Sequence, residues 1–124
     1  PGRMMWSKSE DGGRTFTAPM AAAKTQAIPS RLPNSTFRSP ASLPAFVASP
    51  SSNNLYISWA DWRNGDADVM LARSTDGGQT WDEPIRLNDD PVGNGLDQWQ
   101  PQLSVAPDGR VSAMARRVLS LNTM

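Results

Sequence analysis

A chain of 124 residues with twelve basic and twelve acidic side chains, no histidine and no cysteine excludes several classes of function before any motif is read. Balanced, scattered charge provides no field to gather nucleic acid or an anionic membrane surface. Without cysteine or histidine, this chain alone supplies no disulfide framework, no Ser-His-Asp or Cys-His nucleophile and no ordinary zinc site, so no metal or cofactor is expected.

Eleven prolines, nine glycines and five tryptophans, with no apolar run near the roughly 18 residues of a membrane-spanning helix, suit short strands joined by turns; the expectation is an all-β chain. Residues 1–23 read as a hairpin: MMWSK, the polar loop SEDGGRTF (9–16), then TAPMAA. Within that loop Asp11 can accept hydrogen bonds from loop amides, Ser9 and Thr15 add hydroxyls, and the Gly12-Gly13 pair permits positive φ. Phe16 is expected to turn back into the apolar layer and anchor the hairpin. Residues 24–43, rich in Pro and Ser and without periodicity, read as a long loop; Asn34-Ser35-Thr36 within it is a glycosylation sequon by pattern.

Residues 44–90 carry a fuller set of strands. PAFVASPSSNNLYIS is strand, turn and strand; WADWRNGDAD is a loop; DVMLAR and DEPIRL flank a second polar loop, STDGGQTW (74–81); and Asp89-Asp90 ends the last strand before Pro91. Ser74, Asp76, Gly78, Thr80 and Trp81 repeat Ser9, Asp11, Gly13, Thr15 and Phe16 at an offset of 65 residues. Residues 91–124 open on the turn-rich PVGNGLDQW, and PQLSVAPDGRVSAM then repeats the pattern that starts at Pro44, 57 residues earlier.

The twice-used S-x-D-x-G-x-T-(W/F) pattern resembles the Asp-box, or BNR repeat, of sialidase-like β-propellers. By that resemblance each box joins the third and fourth strands of a four-stranded blade, on the side away from the sialidase active site, so Asp11 and Asp76 are read as turn-holding rather than catalytic. Neither loop has the ligand ladder or distal Glu of an EF-hand calcium loop. The implied architecture is a propeller fragment of about two blades: strands c and d in 1–23, a connecting loop in 24–43, a complete blade in 44–90, and strands a and b in 91–124. Half-blades leave unpaired edges and open apolar faces. The missing strands come either from the remainder of a longer propeller or from other copies of the chain, in which case a homo-oligomer, with a trimer favoured, closes a six-bladed ring by heterologous contacts. A secreted or periplasmic location is implied by the resemblance alone.

Sialidase-like enzymes use a Tyr nucleophile with Glu, an Asp acid/base and three arginines that grip the substrate carboxylate. Phe37-Arg38-Ser39-Pro40 is similar to the family's F-R-I-P motif and makes Arg38 a candidate substrate ligand; aligning the motif's proline with Pro44 instead puts Ser42 in the arginine's place, and Trp99 in the next blade. In Trp59 to Asp68, Arg63 with Asp66 or Asp68 match the second arginine and the acid/base, while the Asn64-Gly65 pair equally suits a plain hairpin turn. Tyr56 lies within a strand pattern, Glu10 and Glu83 flank the boxes, and no nucleophile pair emerges. Trp59 is assigned to packing; Trp62 and Trp99 are candidate carbohydrate- or protein-binding aromatics. The reading is a non-catalytic sialidase-like propeller module with a structural or binding role; the alternative is a sialidase-like glycoside hydrolase whose site is complete only in an oligomer or a longer chain.

Overall fold

A computed structural model describes residues 2–29 and 43–118. Arg38, the sequon and most of the Pro/Ser-rich segment lie outside the described residues. The described chain is all β, with eight strands and no helix. They form three antiparallel sheets: β1 (Gly2–Trp6) with β2 (Met20–Thr25); β3 (Ala45–Ala48), β4 (Leu55–Asp61), β5 (Asp68–Ser74) and β6 (Ile85–Arg86) in chain order; and β7 (Asp97–Val105) with β8 (Val111–Val118).

The central strand β4 explains how the sheets are held. Side chains alternate across a strand, and β4 is buried from Tyr56 to Asp61, so both its faces are covered. Ile57 and Trp59, with Met70 and Ala72 of β5, meet Ala22 of β2, and Met4, Trp6, Ala23 and Trp81 pack around that cluster. On the other face Ala60 and Ala67 join Ile28, with Trp62 and Trp99 packed against them. Trp59 is 0% exposed, and burying a side chain of that size contributes about 3 kcal/mol.

Both hairpins built on the polar loops use one register. Met5↔Ala21 and Trp6↔Met20 in the first recur as Met70↔Arg86 and Leu71↔Ile85 in the second, and the Thr17 amide donates to the Lys8 carbonyl as Asp82 does to Arg73, each at 2.8 Å. All these positions keep the 65-residue offset, so the sequence repeat is a repeat of backbone pairing.

One difference from expectation lies in the first hairpin. Trp81 packs edge-on against Trp6, with ring centroids 6.0 Å apart, but its counterpart Phe16 is 64% exposed rather than returned to an apolar layer. Trp81 has a neighbouring sheet to meet, and Phe16 has none among the described residues. β7 departs too: it begins at Asp97, four residues before Pro101. Proline has no N–H to donate, and the ladder passes it by a bulge between Trp99 and Gln102, where Gln100 adopts a φ of 51°.

Candidate functional site

The candidate residues divide between the two ends of the strands. At one end are the two polar loops and the β3–β4 and β7–β8 turns: the Gly77 amide donates to the Asn53 carbonyl at 3.1 Å, and the Ser51 hydroxyl to the Pro107 carbonyl at 3.0 Å. The opposite end gathers residues 61–68, 87–98 and 26–28, and with them Trp62, Arg63, Asp66, Asp68 and Trp99.

At the first end each Asp is consumed by its own loop. Asp11 Oδ1 accepts from the Arg14 amide (3.0 Å), the Thr15 amide (2.9 Å) and the Ser9 hydroxyl (2.8 Å), while Oδ2 accepts from the Thr15 hydroxyl (2.6 Å). Ser9 Oγ in turn accepts from the Gly13 amide at 2.8 Å. Asp76 takes the Thr80 amide and the Ser74 and Thr80 hydroxyls in the same way, and the Gly78 amide donates to Ser74 Oγ at 2.9 Å. The Thr15 and Thr80 hydroxyls, followed by their amides, hold the two carboxyls well below the ordinary 3.8, at about 2.

A depressed carboxyl favours the fold above its unfolded value, and that contribution is lost as pH falls through its folded value. Thermal melts should therefore show a loss of stability between about pH 4 and pH 2 that is smaller in an Asp11→Asn, Asp76→Asn double variant. An equally steep loss in that variant would show that the loops do not depend on these charges.

At the opposite end the pivot is Asp61, fully buried at the end of β4. Oδ1 accepts from the Arg63 amide (2.9 Å) and Nε (2.7 Å); Oδ2 accepts from Arg63 Nη2 (3.0 Å), the Trp59 indole (2.9 Å) and the Gln26 amide (2.9 Å). Arg63 Nη2 also donates to the Lys24 carbonyl at 2.9 Å. Burial raises the Asp61 pKa, but the bonds from Arg63, Gln26 and Trp59 outweigh it and leave the carboxyl below its usual range. The guanidinium that matched a substrate-gripping arginine is thus forked onto Asp61 and ties the end of β2 to β4.

Asp68, also fully buried, accepts from Asn64 Nδ2 and Asn88 Nδ2, each at 2.8 Å, and pairs with Arg86 Nε at 3.1 Å. Asp66 is 2% exposed; one oxygen accepts the Gly95 amide at 3.0 Å, and the other has no hydrogen-bond partner among the described residues. Burial first, and then the charges of Asp68 and Asp90, push its pKa up. Asp97 takes the Ala67 amide at 2.8 Å and is likewise raised by burial. These bonds latch the 87–97 segment over the β4–β5 loop.

Tyr56 lies at the polar-loop end of β4, five residues from Asp61, or roughly 16 Å along a strand, so the structure does not bring the tyrosine to Asp66 or Asp68; it borders a cavity with Arg73, Asp82 and Glu83 instead. Glu10 pairs with Lys8 at 2.8 Å at that same end, and Glu83 is exposed. The structure does bring Trp62 and Trp99 to one cluster with Ile28, with the Trp99 indole N–H buried. Sequence reasoning missed Asp61, Arg86, Asn88 and Asp97. A signal existed for Asp61 in Trp59-Ala60-Asp61, since residues two apart share a strand face; the others depend on contacts 18 to 30 positions apart. Among the described residues no group of three or more carboxylates is placed to hold a metal ion. No family model, curated protein or solved structure matches the chain.

Proposed function

We propose that the chain is a structural module of a sialidase-like Asp-box β-propeller, non-catalytic, in which the three sheets are a half-blade, a full blade and a half-blade. The observation that supports it most is the exact reuse of one hairpin geometry, with its self-bonded carboxylate, in a two-stranded and in a four-stranded sheet at the same offset. The non-catalytic part rests on Arg63, Asp66 and Asp68, each of which serves an internal latch: a substrate carboxylate would have to displace Asp61 to reach the Arg63 fork, and Asp66 is closed off beneath Gly95.

Fluorogenic sialoside turnover tests this reading. No release above the blank is expected from the 124-residue chain in any oligomeric state. Turnover that disappears in both Arg63→Ala and Asp66→Ala would overturn it and favour a hydrolase.

A further inference from the structure

The bulge that carries β7 past Pro101 changes which side chains share a face of the third sheet. Trp99 is paired with Arg116, and Gln102 with Met114. Residues directly opposed on two strands lie on the same face, as do residues two apart along one strand, so Trp99, Arg116, Met114 and Gln102 all project to one side. In a strand without the extra residue, Trp99 and Gln102, three positions apart, would project to opposite sides. The bulge therefore brings the Gln102 amide round to the face that carries the Arg116 guanidinium. β3, the counterpart of β7, begins at Ala45 and pairs with β4 in an unbroken register.

Gln100, inside the bulge, is the one non-glycine residue with a positive φ among the described residues. A side chain is strained there, and such strain, like β-bulges, concentrates where ligands are held. Gln100, Pro101 and Gln102 line a cavity of about 440 Å³ together with Met114 and Arg116 of β8 and the chain just ahead of β3. That volume is in the usual range of small-molecule sites, about 300 to 1,000 Å³. Arg63, Arg73, Arg86 and Arg110 each pair with an aspartate. Arg116 has neither an ion pair nor a side-chain hydrogen bond among the described residues, and the side-chain amides of Gln100 and Gln102 have no partner there either.

We propose that this cavity binds a small organic carboxylate: the Arg116 guanidinium takes the carboxylate, the amides of Gln100 and Gln102 donate to its oxygens, and an apolar body lies against Leu43, Pro44 and Met114. The charge class follows from an uncompensated guanidinium beside neutral amide donors, and the planar fork of that guanidinium matches a carboxylate with two parallel bonds. The rest of the lining is apolar, which favours a carboxylate with an apolar body over an inorganic anion. The site uses none of Arg63, Asp66 and Asp68, and it does not depend on the propeller reading, because the bulge, the cavity and the free guanidinium are properties of the described strands.

Benzoate is a suitable probe, titrated at constant pH and ionic strength and followed by NMR. The Met114 methyl should shift saturably, and the Met5 methyl of β1 should not move. Arg116→Ala should weaken binding by about fivefold or more, and Arg116→Lys, which keeps the charge and loses the fork, should fall between that variant and the wild type. Gln102→Ala should weaken binding by about twofold or more. Arg116 and Gln102 are both exposed, so the variants should fold, with near-UV circular dichroism unchanged. Benzyl alcohol should not bind, and inorganic phosphate should not displace benzoate. No saturable shift in the wild type, as a cavity filled by another part of the chain would give, would overturn the proposal; so would binding indifferent to Arg116→Ala, or displacement by phosphate as effective as by a second aromatic carboxylate.

Discussion

Replacing Gly78 with alanine is expected to cost about 3 kcal/mol or more, and replacing Gly13 with alanine only about 1 kcal/mol, although the two glycines are matched in sequence and conformation. Both have a φ of 92°, so both substitutions carry the same backbone strain. The difference is the neighbour. The added methyl at Gly78 would occupy the space of the Trp6 ring, so the part-buried indole must leave its seat; expelling it forfeits roughly 2 to 3 kcal/mol of burial. At Gly13 the methyl would enter open space. Thermal melts at pH 7 read the contrast, with the Gly78 variant lower by roughly 12 °C or more. Equal losses at the two sites would show that the first sheet does not press on the second polar loop.

The second large effect is expected at Asp61. Asp61→Asn should cost about 2 to 4 kcal/mol, because an amide offers one acceptor oxygen where the carboxylate serves five donors, and either orientation leaves buried or half-buried N–H groups facing an NH2. The loss should fall on the joint between the first two sheets, since the Gln26 amide and the Arg63 fork both hold it. Asp66→Asn is the contrast: at pH 7 it should be neutral or stabilising, within about 0.5 kcal/mol of the wild type or above it. Asp66 is a buried carboxyl with a raised pKa, so its protonated form favours the fold, and its contribution is lost as pH rises through the folded value. The asparagine variant should therefore show a flatter stability profile above about pH 4. Denaturant melts of both variants across pH 4 to 8 check this. If Asp66→Asn were the more damaging change, the assignment of Asp61 as pivot and Asp66 as tolerated burial would be reversed.

What the sequence made legible follows the range of the interactions. The two polar loops could be read completely because every hydrogen bond to Asp11 and Asp76 comes from a donor within four residues, so spacing and residue type are enough. The strand order in three sheets was readable for a similar reason: turn chemistry marks each hairpin. The role of Arg63 was not readable. Its position suggested a ligand grip, and what engages it is a carboxylate two residues away whose other bonds come from an amide 35 residues earlier. Phe16 was misplaced because burial depends on what lies opposite, and among the described residues no sheet lies opposite that hairpin. Trp99 was read as following a loop because Pro101 looked like a strand start; the bulge that carries β7 past it is a tertiary solution with no local signature.

The first and second sheets are joined where Trp6 sits on the second polar loop, and NMR reads that contact most directly. The Gly78 Hα protons should show cross-peaks to the Trp6 ring and ring-current shifts that vanish in Trp6→Leu, while the Gly13 Hα protons, with nothing against them, stay near ordinary values. Gly78 resonances indifferent to Trp6 would contradict the stacked arrangement and everything argued from it.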